Sequence, residues 1–299
     1  MTEFLEFLRA LINDPFAFID LPIRQWITDA VSWIVSTFRG FSRTWISPPV
    51  QNVMNSVQWM LSVIPPGIFL LLTLALGWWS SSWRVGVFAA GSLAFIGFLG
   101  VWDEMIITLS LVVTAVFFCI VIGLPLGIIG SRSERFYTVM RPILDIMQTT
   151  PPFVYLVPAV MLFSIGNVPG LIATIIFAMP PIIRLTYLGI RNVNPEFIEA
   201  ASAFGSTRSQ TLWKVQFPLA LPTIMAGLNQ TIMLSLSMVV IAAIIGAGGL
   251  GLEVYAGLER LNIGQAFVGG IGIVLLAMVL DRITQGLGDK APGVKYKSD

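Results

Sequence analysis

Few residues in this chain are suited to chemistry, and context removes most of those. Gly246, Gly248 and Gly251 satisfy G-x-G-x-x-G, a pattern whose glycines let backbone approach a pyrophosphate. That use needs a strand before the glycines, a helix after them and an acidic residue about 20 positions on. Here a long apolar stretch precedes them. The expectation is instead a flexible external gate or tight turn built from Gly246, Gly248, Gly249 and Gly251. No G-x-x-x-x-G-K-[ST] occurs, so the chain does not cradle ATP phosphates in the usual way. There are no histidines, which removes the commonest general base and the commonest metal ligand together. The single cysteine, Cys119, sits in an apolar run. One cysteine makes neither an internal disulfide nor a thiolate metal site. No catalytic residue, metal site or bound cofactor is expected.

The remaining ionisable candidates are Arg184, Asp281 and its neighbour Arg282, each inside an apolar segment. Such residues are functional candidates by default. All three lie toward one end of their segments, where snorkelling or mutual pairing is the simpler expectation. Acids near the bilayer midplane, which a proton-coupled carrier uses, are missing.

The segments that carry these residues need a solvent. Of 299 residues 56% are hydrophobic and 11% charged, against roughly 25% charged in soluble chains. The bilayer is that solvent. Net charge is +1, so nothing favours a nucleic-acid partner. The opening MTEFLEFLRA carries Glu3 and Glu6 where a signal peptide has basic residues. Insertion is expected to come from the spans.

A spanning helix needs about 20 mainly apolar residues. The hydropathy pattern predicts an all-α integral membrane protein with about seven spans, over 64–80, 85–101, 105–129, 151–165, 170–190, 221–246 and 264–285. The fourth is short and is expected to begin earlier, through Pro142–Thr150. The loop at 130–142 holds Arg132, Arg135 and Arg141 against Glu134, and the loop at 191–217 holds Arg191, Arg208 and Lys214. The tail holds Lys290, Lys295 and Lys297, whereas Asp103, Glu104, Glu253 and Glu259 fall in alternate loops. Excess Lys and Arg mark the cytoplasmic side. The prediction is C-terminus inside and N-terminus outside.

Three regions follow: 1–63, 64–288 with its loop at 191–218, and a tail at 289–299. In the first, Ile23, Trp26, Ile27, Ala30, Val31, Ile34 and Phe38 recur at helical spacing. This reads as an amphipathic helix in the membrane interface, with membrane lipid as its partner. An eighth span is the alternative, disfavoured because Asp20, Arg24 and Asp29 would lie in hydrocarbon. Pro125 with Gly123 and Gly127, Pro158, and Pro180-Pro181 are expected to break their spans. Broken backbone is tolerated where it lines a cavity or is buried in protein. Phe153, Tyr155, Met161, Phe177, Met179, Pro180, Pro181 and Met233 are therefore candidates for a pathway wall, and packing is the alternative for each.

The stretch 191–218, RNVNPEFIEAASAFGSTRSQTLWKVQFP, is long and polar between spans. Asn194 suits an N-cap and Pro195 a first helical residue. Glu196 and Glu199 suit the positive end of a helix. Gly205 suits a stop, and Thr207 with Gln210 fits a capping box. Pro218 and Pro222 are expected to end the second helix and open the next span. Two short helices joined at Gly205 are predicted. Phe197, Ala201 and Phe204 share a face of the first, which could seat in another protein's groove or lie as a surface connector.

Glu199-Ala200-Ala201, Gly205 and Val215-Gln216-Phe217-Pro218 match in type and spacing the EAA signature of permeases of bacterial ABC importers. The stretches MQTTPPFVYLVPAVMLF, IATIIFAMPPIIRLTYLGIR, LALPTIMAGLNQTIMLSLSMVVIA and IGAGGLGLEV resemble glycine betaine/L-proline permeases in particular. The resemblance covers roughly 85–288 and implies a type I ABC importer transmembrane domain working as a homodimer. It implies that Glu196, Phe197, Glu199, Ala200, Ala201, Phe204, Gly205, Arg208 and Pro218 couple it to an ABC ATP-binding subunit, present in two copies. ATP and Mg would sit on that partner, and a substrate-binding protein would deliver the cargo. Methionine, choline or a sulfonate are the rival cargoes.

Overall fold

The computed structural model describes residues 22–290. Asp20, Lys295 and Lys297 lie outside them, as does most of the tail region. Every regular element among the described residues is helical. A helix satisfies its own backbone hydrogen bonds, which lipid cannot do.

Helix α1 (Ile23–Phe41) passes through a π-helical turn at Ser42–Ile46 into α2 (Ser47–Ser62). The N-terminal helix thus runs well beyond the expected amphipathic stretch. Trp26, Ile27, Ile34 and Phe38 stay exposed on this chain. Val35, Val50 and Met54 are its buried apolar contacts. A turn of 99° leads into α3 (Pro66–Ser80). That helix forms a hairpin with α4 (Trp83–Phe98), so close that a Cβ on Gly77 would lie 2.7 Å from the Gly86 Cα. These are the expected spans 64–80 and 85–101. Their 15 and 16 residues make rods of about 22–24 Å at 1.5 Å per residue. The hydrocarbon core is about 30 Å thick.

The centre of the bundle is α5 (Trp102–Arg132), with α9 and α12 packed on it. α6 (Glu134–Thr149) and α7 (Pro152–Phe163) meet at a bend of 98°. α8 (Asn167–Ala178) and α9 (Pro180–Arg191) together form one span. After α10 (Pro195–Ala203), α11 (Arg208–Thr211) runs through a π turn at Leu212–Gln216 into α12 (Phe217–Ala242). α13 (Leu250–Glu259) and α14 (Ile263–Asp289) complete the fold. Among the described residues Trp102–Arg132, Asn167–Arg191, Arg208–Ile245 and Ile263–Asp289 are long and apolar enough to cross a membrane. Up to 6 cross if each bent pair counts as one span.

Several proline expectations are corrected. Pro125 does not break α5. Its flanking glycines instead seat α9: a Cβ on Gly123 would lie 2.6 Å from Ile182 Cγ2, and one on Gly127 2.6 Å from Thr186 Cβ. Small residues let the two backbones approach, and that packing holds the helix through one missing hydrogen bond. Pro158 leaves α7 intact. Pro180 and Pro181 occupy the first turn of α9, where a missing N–H costs little, and Met179 keeps helical torsions. The fourth span, expected to begin through Pro142–Thr150, is sharply bent there: α6 and α7 pass as one span only together, with a 98° break between them. Thr150 and Pro151 each precede a proline and are extended (ψ 126° and 136°), the geometry that proline imposes on its predecessor. Pro218 and Pro222 do not end the helix that precedes them. The π turn widens the helix where the Pro218 ring would otherwise meet a carbonyl, so Arg208–Ile245 stays one helix.

Candidate functional site

The loop at 191–218 is built by its caps. Asn194 Oδ1 accepts from the Glu196 N–H at 3.0 Å, which starts α10. The helix ends in a reciprocal pair of backbone bonds, Ser206 N–H to Ala201 O (3.0 Å) and Gly205 N–H to Ser202 O (2.9 Å). That closure needs a left-handed residue. Gly205 supplies it at φ 77°, with open space around the missing Cβ. Glycine is therefore required here by torsion and not by crowding. Thr207 Oγ1 accepts from the Gln210 N–H at 3.3 Å and Gln210 Oε1 from the Thr207 N–H at 2.8 Å, closing the expected capping box.

No residue of α10 is buried. Glu196, Phe197, Glu199 and Ala200 are exposed, Ala201 is half-buried and Phe204 is 92% exposed. Gly205 and Arg208 are exposed and Pro218 is half-buried. Phe204 and, less fully, Phe197 present apolar surface at the two ends of this helix. Beside it lies a cleft of 430 Å³ lined by Arg132, Ile198, Ser202, Ser206, Arg208 and Thr211. Arg132 Nη2 donates to the Arg208 carbonyl at 3.2 Å, tying the end of α5 to the start of α11.

Ion pairs anchor the approach to this loop. Arg191 Nη2 lies 3.0 Å from Glu134 Oε1 and Arg184 Nη2 2.5 Å from Asp145 Oδ1. Both join α9 to α6. Lys290 Nζ donates to the Trp79 carbonyl. The basic ends of α5 and α9 thus meet the starts of α11 and α6, and the end of α14 meets the end of α3.

Of the two expectations for Arg184 and Asp281, snorkelling or mutual pairing, the pairing does not occur. Asp281 Oδ1 accepts from Asn229 Nδ2 (2.9 Å) and Gln285 Nε2 (2.6 Å), and Thr284 Oγ1 donates to Asn229 Oδ1 (2.7 Å). This polar clasp joins α12 to α14. Sequence reasoning counted Glu134 only as a loop charge and missed Asp145 and Asn229, because each partner lies on a helix distant in sequence. The one visible signal of Asp145 and Asn229 was polarity among apolar neighbours.

At the opposite end, the glycine turn follows a 3-10 turn at Ala243–Ile245. Gly246 lies against Ile165, where a Cβ would be 2.9 Å from Ile165 Cγ2. Gly248 N–H donates to Asn167 Oδ1 at 2.9 Å, and Leu250 N–H to Thr108 Oγ1 at 2.8 Å. Gly249 has φ 93°, and a Cβ there would lie 2.4 Å from Thr108 Oγ1. Gly251 is buried against the Val239 carbonyl. A helix (α13) follows the glycines, and the element before them is also helical.

The pathway candidates divide. Tyr155 and Phe177 pack in one cluster with Leu156, Ala159, Ala173 and Met238, and Tyr155 Oη donates to the Met147 carbonyl at 2.9 Å. Phe153 and Met161 face outward from α7. Met179, Pro180 and Pro181 are buried, with Met179 beside Gly123. Met233 packs against the main core.

Residues 120–290 match the family described as binding-protein-dependent transport system inner membrane component. The chain is similar to the glycine betaine/proline betaine transport system permease protein ProW of Escherichia coli (strain K12), at 52% identity over 93% of this chain and 78% of that protein. It is also similar to the glycine betaine transport system permease protein OpuAB of Bacillus subtilis (strain 168), at 48% identity over 89% of this chain and 94% of that protein. Among solved structures, an inward-facing conformation of the MetNI methionine ABC transporter aligns with TM-score 0.54 at 27% identity, over 67% of this chain and 96% of that chain.

Proposed function

This chain belongs to the family of binding-protein-dependent transport system inner membrane components, and from that membership we propose that it is the permease for a quaternary ammonium solute, glycine betaine first. Its fold is the all-helical transmembrane domain of a type I ABC importer, a multi-pass transport subunit of the inner membrane. The observation that carries the coupling assignment is α10: a capped helix with no buried residue, bearing Glu199-Ala200-Ala201 and a bare Phe204.

In this reading α10 seats in a groove of an ABC ATP-binding subunit. Glu196, Phe197, Glu199, Ala200, Ala201 and Phe204 make the contact, while Gly205, Arg208 and Pro218 set its angle to α12. Arg132, Arg135, Arg141, Arg191, Arg208, Lys214 and Lys290 lie on the cytoplasmic side, as the positive-inside rule favours. The glycine turn Gly246–Gly251 is then the outer gate. Regions 1–63, 64–288 and 289–299 serve as interfacial anchor, permease domain and cytoplasmic tail.

Two copies of the chain assemble with two ATPase copies, which bind ATP and Mg. The outward, apolar side of α7 supports this, because Phe153, Val154, Val157 and Met161 have no cover in one chain. Across the dimer the exposed Phe153 and Met161 face the path, while Tyr155, Phe177, Met179, Pro180, Pro181 and Met233 shape it from behind as packing residues. A permeant quaternary ammonium needs only weak cation–π contacts along it, about 0.5–1 kcal/mol each. Tight recognition belongs to the binding protein.

The test is reconstitution with the cognate ATPase and binding protein in proteoliposomes. Glycine betaine should accumulate and stimulate ATP hydrolysis. L-proline, choline or methionine doing so in its place would overturn the cargo assignment. Uptake abolished by an uncoupler while ATP is maintained would overturn the ATP-driven reading.

A further inference from the structure

The π turn at Ser42–Ile46 interrupts an otherwise continuous helix. Such π turns are rare and frequently sit at functional positions. Here the extra residue turns Ser42 and Arg43 toward the end of α7. The last carbonyls of any helix lack intrahelical donors. Leu162 O receives both Ser42 Oγ (3.3 Å) and Arg43 Nε (3.2 Å). Arg43 Nη2 also donates to Ser164 Oγ at 2.6 Å. A guanidinium at a helix C-terminus is favoured by the helix dipole as well.

Ser164 has φ 74° and ψ −178°, a conformation suited to glycine, which other residues keep only when their surroundings hold them there. The same short turn grips the glycine turn. Gly166 N–H donates to Ile245 O at 3.0 Å, and Asn167 Oδ1 accepts from Gly248 N–H at 2.9 Å. Thr108 of α5 completes the chain of contacts through Leu250. One guanidinium of the N-terminal helix therefore secures a strained serine two residues from the first clamp on the glycines.

We propose that Arg43 is a positioning residue, a latch that holds the Ser164–Asn167 turn and through it keeps the outer glycine gate closed until the binding protein docks. The functional half rests on the gate assignment proposed above. The N-terminal helix thereby sets how readily the gate opens. Losing a charge-assisted hydrogen bond of this kind shifts an equilibrium by about ten-fold or more.

The test uses the full transporter in nanodiscs, carrying Arg43→Ala, Arg43→Lys, Ser164→Ala or Asn167→Ala. Amide hydrogen exchange over 240–252 reads the physical link. ATP hydrolysis without binding protein, set against hydrolysis with saturating binding protein and betaine, reads the gate. Arg43→Ala should speed exchange of the Gly248 and Leu250 amides and raise hydrolysis without binding protein, each about ten-fold. Hydrolysis with binding protein should stay close to wild type. Arg43→Lys should recover part of both effects. Asn167→Ala should reproduce them and show no further change when combined with Arg43→Ala. Unchanged exchange at 240–252 in Arg43→Ala and Ser164→Ala would overturn the latch. Faster exchange with unchanged hydrolysis would overturn the gate assignment, and the functional half of the latch with it. Equal losses of hydrolysis with and without binding protein, unrelieved by lysine, would reduce Arg43 to a structural cap.

Discussion

The Arg184 guanidinium lies 2.5 Å from Asp145, joining the helix that leads into the loop at 191–218 to a helix far from it in sequence. Side-chain exposures of 33% and 52% place this pair where a salt bridge contributes about 0–1 kcal/mol. It ties the start of α9 to α6, so its expected effect is on the position of α9 ahead of the loop at 191–218 and not on overall stability.

Asp145→Asn should therefore lower ATP-driven uptake while leaving thermal stability within about 1 kcal/mol of wild type. The exchanged pair Arg184→Asp with Asp145→Arg should recover uptake. Vesicle transport and a melting curve check both, and failure of the exchange would assign the loss to some other contact of Arg184.

Gly205 sits at φ 77° in open space. Gly205→Ala should cost roughly 1–2 kcal/mol locally, the penalty for a left-handed Cβ. Gly205→Asp should insert normally yet lose coupling of ATP hydrolysis to transport. Glu199→Lys should do the same through reversed charge on the docking helix. Coupled uptake at wild-type rate in both charged variants would remove α10 from the ATPase contact.

Gly127 and Gly270 make a matched pair. A Cβ on Gly127 meets Thr186 Cβ at 2.6 Å and the Ile183 carbonyl at 2.8 Å, whereas one on Gly270 meets nothing within 4 Å. Gly127→Ala should destabilise by about 1–3 kcal/mol through overpacking. Gly270→Ala should be neutral or gain up to about 1 kcal/mol from helix propensity. Thermal unfolding in detergent measures the sign of each.

Cys119 is the only cysteine of the chain. It is wholly buried, with Sγ 3.6 Å from the Ile175 carbonyl. A thiol-reactive fluorophore should not label the folded protein and should report its unfolding without any engineered site. Rapid labelling at ambient temperature would show that α5 and α8 separate in the native state.

Much of the loop at 191–218 was legible because capping is local. Asn194, Gly205, Thr207 and Gln210 each act on backbone within a few residues, so their types and spacing determine the two helices. The apolar segments were legible for the same reason, since hydropathy is summed along the chain, but against about seven expected spans the described residues give 4, or up to 6 with the bent pairs. Pro125 misled because its effect is decided by neighbours, and Gly123 and Gly127 seat α9 against the helix the proline was expected to break. Pro218 misled because a π turn absorbed it.

By itself the sequence determined a membrane solvent, a helical chain, the place and punctuation of the loop at 191–218, and the kinship its motifs carry. These follow from composition and from contacts over a few residues. Only the tertiary structure decided that Arg184 meets Asp145, that Asp281 is held by Asn229, and that Arg43 reaches Leu162 and Ser164. Each of those contacts joins residues tens to more than a hundred positions apart. Spacing along a chain carries no record of which helices will lie side by side. That is settled when small residues let backbones approach and the polar groups left between them find partners.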